Sequence, residues 1–547
     1  MSGDENKSKI LQKFIMGSTN KRKLRLRYRC WQKIFLSVIG LPLAVTLFLS
    51  LVAFLRAVFI QPQQYVDILE LLKDQASDAI DRSSMKLRSE RLAGALRIPT
   101  VSYAIDKQEK QAILQYHEFI KTNFPLIHSS PHIKREVINE YSLLYTVEGT
   151  SKGKLPYLLA SHLDVVPADP RAWDVPPFSG KIVNQTFVYG RGAIDDKTGV
   201  MGILEALEYM LEKGQRTRRT FYIAFGHDEE ISGRRGAQEI AKILTARGVT
   251  RLDFVLDEGY PLTKGLIPGT DRHVAIIGVS EKGSATVELS VRGSPGHSSF
   301  PPAESAIGIL AAAVARLEKN PQPALLGQGP EAATFQYLAP HVSFGYKVLY
   351  SNLWLFSGLM ARELALKPIA NAIVRTTTAI TVFHGGIKEN VVPPSATAVI
   401  NHRVHPAQRV ADVISYDREI IDDPRVHIRV KTSREAHPVS PFDRDCIPFQ
   451  MVATSIKQVF HDSIVVPGVF IANTDTRWYL DLTSNLYRFL PTIVTPADIT
   501  RYHGNNERIS IDSYHQAINF YYRIIKNADL LINVVPASVI SNEEKEL

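Results

Sequence analysis

Four short stretches of this chain carry residues able to do chemistry. ASHLDVV places His162 and Asp164 two residues apart, so on a strand both would project to one face. RGAIDDKTG carries Asp195 and Asp196 at the expected start of a helix, where a carboxylate can also act as an N-cap. FGHDEEISG carries Asp228, Glu229 and Glu230 in succession behind the apolar run TFYIA, and VLDEG places Asp257 behind another. Singly, each has a plain alternative as a cap or a solvated turn. Together they gather an imidazole and several carboxylates, and neighbouring carboxylates resist burial unless positive charge lies close. Nitrogen and oxygen ligands of this kind suit zinc. Five ligands with one shared carboxylate would suit two ions about 3.5–4 Å apart.

The elements around these stretches fit that placement. From about residue 136 to 260, the strand-like runs YSLLYTV, YLLASHLDVV, TFYIAFG and LDFVLD alternate with helices. The helix between them, TGVMGILEALEYMLEKG, has apolar residues at Val200, Ile203, Leu204, Leu207 and Leu211, a helical period. Such alternation predicts an α/β layer architecture. Three of the four stretches fall just beyond strand C-termini, where open α/β sheets bind ligands. After Gly283 the rhythm becomes strand–helix–strand–strand–helix–strand through about residue 434, a small α+β unit. It contains an apolar, aromatic segment at 325–372 with Tyr337, Phe344, Tyr346, Tyr350, Trp354 and Phe356. The α/β character then returns. The expected organisation is an α/β domain with a mixed sheet, in parts 62–282 and 435–547, interrupted by a domain at 283–434.

Composition narrows the partners. The 547 residues are 45% hydrophobic and 22% charged, as in folded globular proteins. Of the net charge of +9, residues 1–33 hold +8, with ten Lys or Arg against Asp4 and Glu5. The body is nearly neutral, so no nucleic-acid partner is expected. Ile34–Leu55 has no charged residue and would span about 33 Å as a helix, enough for a bilayer core. It reads as a transmembrane signal anchor. The positive-inside rule then puts residues 1–33 in the cytosol and the body on the lumenal or extracellular side, as a type II protein. Plasma membrane, endosome and vacuole or lysosome all fit, and cleavage of the anchor would give a secreted form. Cys30 and Cys446 would lie on opposite sides of the membrane, so no disulfide is expected between them. NQT at Asn184 is a glycosylation sequon on the outer side.

The motifs SHLDVVPA, GRGAIDDKTG, GHDEEISG, VLDEG, SPGHSS and HGNNERI, running from about residue 90 to 530, resemble those of the zinc aminoacylase and carboxypeptidase family. That family includes aminoacylase, glutamate carboxypeptidase and carnosinase. SNLWLF, RTTTAIT and RYHGNNERIS extend the resemblance to vacuolar carboxypeptidase S and the N-fatty-acyl-amino-acid synthase/hydrolases. The resemblance implies a zinc-exopeptidase-like catalytic domain with an inserted lid and dimerisation domain, two Zn2+ per subunit and a homodimer. His162 and Asp257 would bind one zinc, Glu230 and His503 the other, and Asp195 would bridge them. Asp164 would orient His162, Glu229 would act as general base, and His297 would reach the site from a partner subunit to stabilise the oxyanion. Asn390, Arg403 and Arg477 are candidate substrate contacts. Arg477 is favoured for the substrate carboxylate, because a guanidinium grips a carboxylate with two parallel bonds.

The expected function is a membrane-anchored amidohydrolase that cleaves, and in reverse would form, N-acyl amino acids with fatty acyl chains. Its close rival is an exopeptidase like carboxypeptidase S, acting on dipeptides and small peptides, since both reactions break an amide beside a free carboxylate. A non-catalytic glycoprotein subunit is the reading from a different class. The presence of all five ligands and Glu229 argues against it.

Overall fold

The structure, a computed structural model, describes residues 36–61 and 79–531. The chain divides into two compact units, residues 1–61 and 62–547. In the first, a π-helical turn over Leu36–Gly40 leads into the helix Leu41–Phe59. Pro42 lies in its first turn, where a missing N–H costs no helical bond. Among the described residues this is the one helix long and apolar enough to cross a membrane. Of the expected span Ile34–Leu55, residues 34 and 35 lie outside the described residues, and the helix runs past Leu55 to include Arg56. The basic tail 1–33 and residues 62–78 of the expected first domain part lie outside the described residues.

The second unit is built on a mixed sheet of eight strands. Their order is Ile464–Phe470, Val274–Glu281, Leu486–Val494, Val255–Thr263, Tyr157–His162, Phe221–Gly226, Ser142–Val147 and Ile133–Ile138. The four strands from Leu486–Val494 to Phe221–Gly226 run parallel, so their carboxyl ends open on the same edge. Every residue of Tyr157–His162 is buried, as a central strand covered on both faces requires. One face packs under helices Lys197–Glu212 and Ile511–Leu530 through Ile203, Leu207, Phe520 and Ile524. The other packs under helix Ala237–Ala246 through Ile240 and Leu244 against Leu158 and Ala224.

A second sheet, antiparallel throughout, has the order Thr377–Gly385, Ser395–Val404, Gly283–Arg292 and Val426–Arg434. Burial alternates along Gly283–Arg292, with Ala285, Val287, Leu289 and Val291 inward. That period of two follows because helices Ala306–Lys319 and Val410–Ile421 cover only one face. The two crossings between the sheets meet at Glu281, a fully buried carboxylate. It accepts from Arg488 Nε at 2.7 Å and from the hydroxyls of Thr474 and Thr476 at 2.6 and 2.7 Å. Its carbonyl accepts from the His437 N–H on the return crossing.

The aromatic segment forms helices Glu331–Leu338, Phe344–Tyr350, Leu353–Ala365 and Pro368–Val374. Its inner side packs on the large sheet's edge strand, where the Thr334 hydroxyl donates to Pro467 O at 2.7 Å, and on the segment after the second sheet, where the Tyr337 hydroxyl donates to Phe442 O at 3.1 Å. A covered edge offers no row of free backbone groups to another chain. Its outer side leaves Trp354, Leu355 and Leu359 exposed. His402 and His405 are buried against Asp417 at 2.9 Å and Glu331 at 3.3 Å.

Candidate active site

The parallel strands set the site. His162 ends its strand level with Gly226 of the neighbouring one, so the HDEE turn begins beside the imidazole. His162 Nδ1 lies 2.9 Å from the Asp164 carbonyl. A carbonyl only accepts, so Nδ1 carries a proton and Nε2 is turned toward the carboxylates. Asp164 Oδ1 accepts from the Glu229 N–H at 3.1 Å, which ties the imidazole strand to the turn that follows Gly226.

His162 Nε2 faces Asp195 Oδ1 at 2.9 Å, and His503 Nε2 faces Asp195 Oδ2 at 3.0 Å. Glu258 Oε1 lies 3.7 Å from His162 Nε2, and Glu230 Oε2 lies 3.3 Å from His503 Nε2. Two sets of donor atoms, each within 4.8 Å of one another, therefore share Asp195: His162, Asp195 and Glu258, and Asp195, Glu230 and His503. Two acceptors do not sit 2.9 Å apart without a proton or a cation between them. The electrostatics show the same demand. Burial lowers the His162 pKa, but Glu258, Asp164 and Asp195 together raise it well above the usual imidazole value. Hydrogen bonds donated to Asp195 and then Glu230 push His503 up to about 10. Burial, reinforced by Asp195, pushes Glu230 up to about 7 and Glu258 well above the carboxylate range. Imidazoles beside crowded carboxylates fit divalent ions.

Asp257, the ligand expected from the motif, lies outside both sets. Its Oδ1 accepts from the Glu258 N–H at 2.9 Å, and its Oδ2 is buried without a partner. The cause is a bulge. Arg488 pairs with Asp257, but the next pair is Phe489 with Tyr260, so Glu258 and Gly259 are extra residues on this strand. A bulge re-aims a side chain. A Cβ at Gly259 would collide with the Arg488 backbone, so the bulge needs glycine there.

The paired aspartates of RGAIDDKTG divide their work. Asp196 caps helix Lys197–Glu212, accepting from the Gly199 N–H at 3.1 Å, while Asp195 faces both histidines. Glu507, which the sequence did not single out, holds Asp195 in place. It is fully buried, pairs with Arg191 at 2.7 Å, and accepts the backbone N–H groups of Gly192, Ile194 and Asp195. Its place four residues after His503 in HGNNERI was the available signal.

Glu229 adjoins this cluster but belongs to neither donor set. Burial raises its pKa well above the ordinary value, with Arg477 opposing. The Arg477 guanidinium donates to Glu229 Oε1 at 2.9 Å and to the Thr474 carbonyl at 2.6 Å. Arg477 is therefore engaged with the expected base through Nη2 and with the Thr474 carbonyl through Nε. Arg403 lies nearby, donating to Asn473 Oδ1 at 2.8 Å. Burial and then Arg477 lower its pKa. Asp228 holds the turn, its Oδ2 accepting from the Arg235 N–H at 2.8 Å. His297 and Asn390 share an exposed two-stranded ribbon, Gly296–His297 with Val391–Val392, where Ser298 N–H donates to the Asn390 carbonyl. Among the described residues, no hydrogen bond or ion pair links this ribbon to the carboxylate cluster. Asn184 is exposed in the turn between Lys181–Val183 and Phe187–Tyr189.

A mixed α/β sheet with this donor set at its parallel carboxyl ends defines a metallohydrolase. The model of peptidase family M20/M25/M40 matches residues 158–527, and the chain belongs to that family of metal-dependent hydrolases. Among its relatives, the Xenopus tropicalis N-fatty-acyl-amino acid synthase/hydrolase PM20D1 is 46% identical over 454 residues, 83% of this chain and 88% of that protein. The human protein of the same name is 43% identical over 450 residues, 82% and 88% of the two chains. Carboxypeptidase S of Saccharomyces cerevisiae is 32% identical over 489 residues, 80% and 84%. The fold is shared with human carnosine dipeptidase 1, at a TM-score of 0.59 and 13% identity over 86% of this chain and 100% of that one.

Proposed function

We propose that this chain is a dinuclear zinc amidohydrolase that cleaves, and in reverse forms, N-fatty-acyl amino acids. The observation that carries the chemistry is the division of Asp195, one carboxylate oxygen to each histidine. The substrate class rests on the relatives named for N-fatty-acyl amino acids at 43–46% identity. One ion would be held by His162, Asp195 and Glu258, the other by Asp195, Glu230 and His503. Bound there, zinc would lower the pKa of water and polarise the scissile carbonyl.

The chain's own residues supply the rest. Glu229 takes the proton of the attacking water and passes it to the leaving amine. Asp164 keeps the His162 proton on Nδ1 and fixes the Glu229 backbone. Arg403, whose one side-chain hydrogen bond among the described residues is to Asn473, receives the substrate carboxylate, while Arg477 orients Glu229. His297 donates to the oxyanion from a second copy of the chain, with Asn390 beside it. Their exposure side by side supports this. Residues 283–434 act as the lid and dimerisation domain between catalytic parts 62–282 and 435–547. The helix Leu41–Phe59 anchors the protein as a type II membrane protein, with Asn184 glycosylated on the outer side.

A carboxypeptidase S-like peptidase is the second reading, supported by the similarity to that enzyme. The same residues would cleave a peptide bond beside a free carboxylate. Turnover of N-oleoyl-phenylalanine against a blocked dipeptide separates the two. The account expects preference for the acyl amino acid, and clear preference for the dipeptide would contradict it.

A further inference from the structure

The turn that carries Glu229 and Glu230 ends in an unfavourable backbone. After the short 3-10 helix Glu229–Ile231, Ser232 takes φ 100° and Gly233 takes φ 65°. Glycine adopts such angles freely, but serine has a Cβ and does not. A strained residue persists only where its surroundings over-determine it.

The turn's own backbone closes it, with Ser232 N–H donating to the Glu229 carbonyl at 2.8 Å and Gly233 N–H to the Asp228 carbonyl at 2.7 Å, and one further segment, Asn473–Trp478, touches it at three places. The Trp478 indole N–H donates to the Ser232 carbonyl at 3.2 Å. Arg477 donates to Glu229. The buried Asp475 carboxylate lies against both Gly226 and Gly233, so that a Cβ on either glycine would collide with it. The segment is itself fixed, because the N–H and hydroxyl of Thr474 and the hydroxyl of Thr476 all donate to the buried Glu281. The strained residue is thus clamped from behind by a rigid element that is neither in a donor set nor bonded to the two histidines.

We propose that Trp478 is a positioning residue for the reaction. Its N–H, bonded to Ser232 O, fixes the left-handed turn and thereby the direction in which Glu229 points. This rests on Glu229 being the proton carrier. The indole bond is the separable part of the clamp. The ring also packs with the cluster around Tyr479 and Leu482, and phenylalanine in its place would keep an aromatic ring there while losing the donor.

The test is Trp478→Phe in the full-length protein. It should lower kcat about tenfold, the scale of one hydrogen bond to a strained site. KM should stay within about twofold, with bound metal and melting temperature kept, because only an interaction acting through the reacting geometry is lost. Adding Ser232→Gly should restore most of the lost kcat, since glycine takes the same φ without strain. An unchanged kcat in Trp478→Phe would overturn the proposal. So would a loss that merely tracks lost metal or folded protein, or one that Ser232→Gly does not relieve. Glu229→Gln, assayed alongside, separates the failures: if it keeps full turnover, the base assignment falls and this proposal with it. If Glu229→Gln is inactive while Trp478→Phe is normal, this proposal falls alone.

Discussion

The guanidinium of Arg477 lies 2.9 Å from a carboxylate oxygen of Glu229, with both side chains largely buried. The pair couples the expected base to a segment 248 residues away in sequence. Removing one partner of a buried pair leaves an uncompensated charge, a penalty of about 3–5 kcal/mol. Arg477→Met should therefore lower kcat by about 100-fold or more. Arg403→Met should instead act mainly on KM. Steady-state kinetics of the two variants check this, and an Arg477 variant that changed KM alone would return Arg477 to the substrate carboxylate.

Neighbouring residues on the bulged strand separate in the same way. Glu258 lies in a donor set and Asp257 does not. Glu258→Gln should lower metal affinity by about 10-fold or more, as loss of a ligand does, while Asp257→Asn keeps both ions. Metal analysis after dialysis against a weak chelator gives the answer. The reverse pattern would contradict the geometry.

Asp257 and Glu258 also mark the limit of what sequence shows. His162, Asp195, Glu230 and His503 were legible because each follows a recognisable strand or lies in a motif with a fixed spacing. The choice between Asp257 and Glu258 depends on a two-residue bulge against Arg488, and bulges leave little trace in an apolar run. Glu507 and Asp475 were not legible as supports. Glu507 acts on residues 312 to 316 positions away, and Asp475 presses on glycines from another part of the chain. The aromatic segment was legible only as apolar. Its division into a packed inner side and an exposed outer one required the sheet edge it covers.

Glu507 allows a stability test at the support of the Asp195 loop. It is fully buried, pairs with Arg191 and accepts three backbone N–H groups of the Asp195 loop. Glu507→Gln leaves Arg191 buried without its counter-charge. The loss in urea unfolding should be about 3–5 kcal/mol, and a loss below about 1 kcal/mol would contradict this role.

Acid should destabilise the body through its buried imidazoles. His117 donates from Nε2 to the Tyr141 carbonyl at 2.9 Å, and burial pulls its pKa down to about 4. The unfolded chain binds that proton near pH 6.5. The depressed folded value means the contribution is intact above about pH 6.5 and is lost as pH falls toward 4. His117→Gln keeps a donor for Tyr141 and removes the titration. Between pH 7 and 4.5, wild type should lose about 2–3 kcal/mol relative to the variant. A difference that stays constant over this range in urea unfolding would contradict it.

The most direct test of the account is Glu229→Gln, with turnover and bound zinc measured on the same preparation. Glu229 is in neither donor set, yet it adjoins the cluster as the proposed proton carrier. The account predicts two zinc ions per chain, as in wild type, with turnover reduced by at least about 100-fold, the range general acid–base catalysis supplies. Full turnover with zinc retained would contradict it.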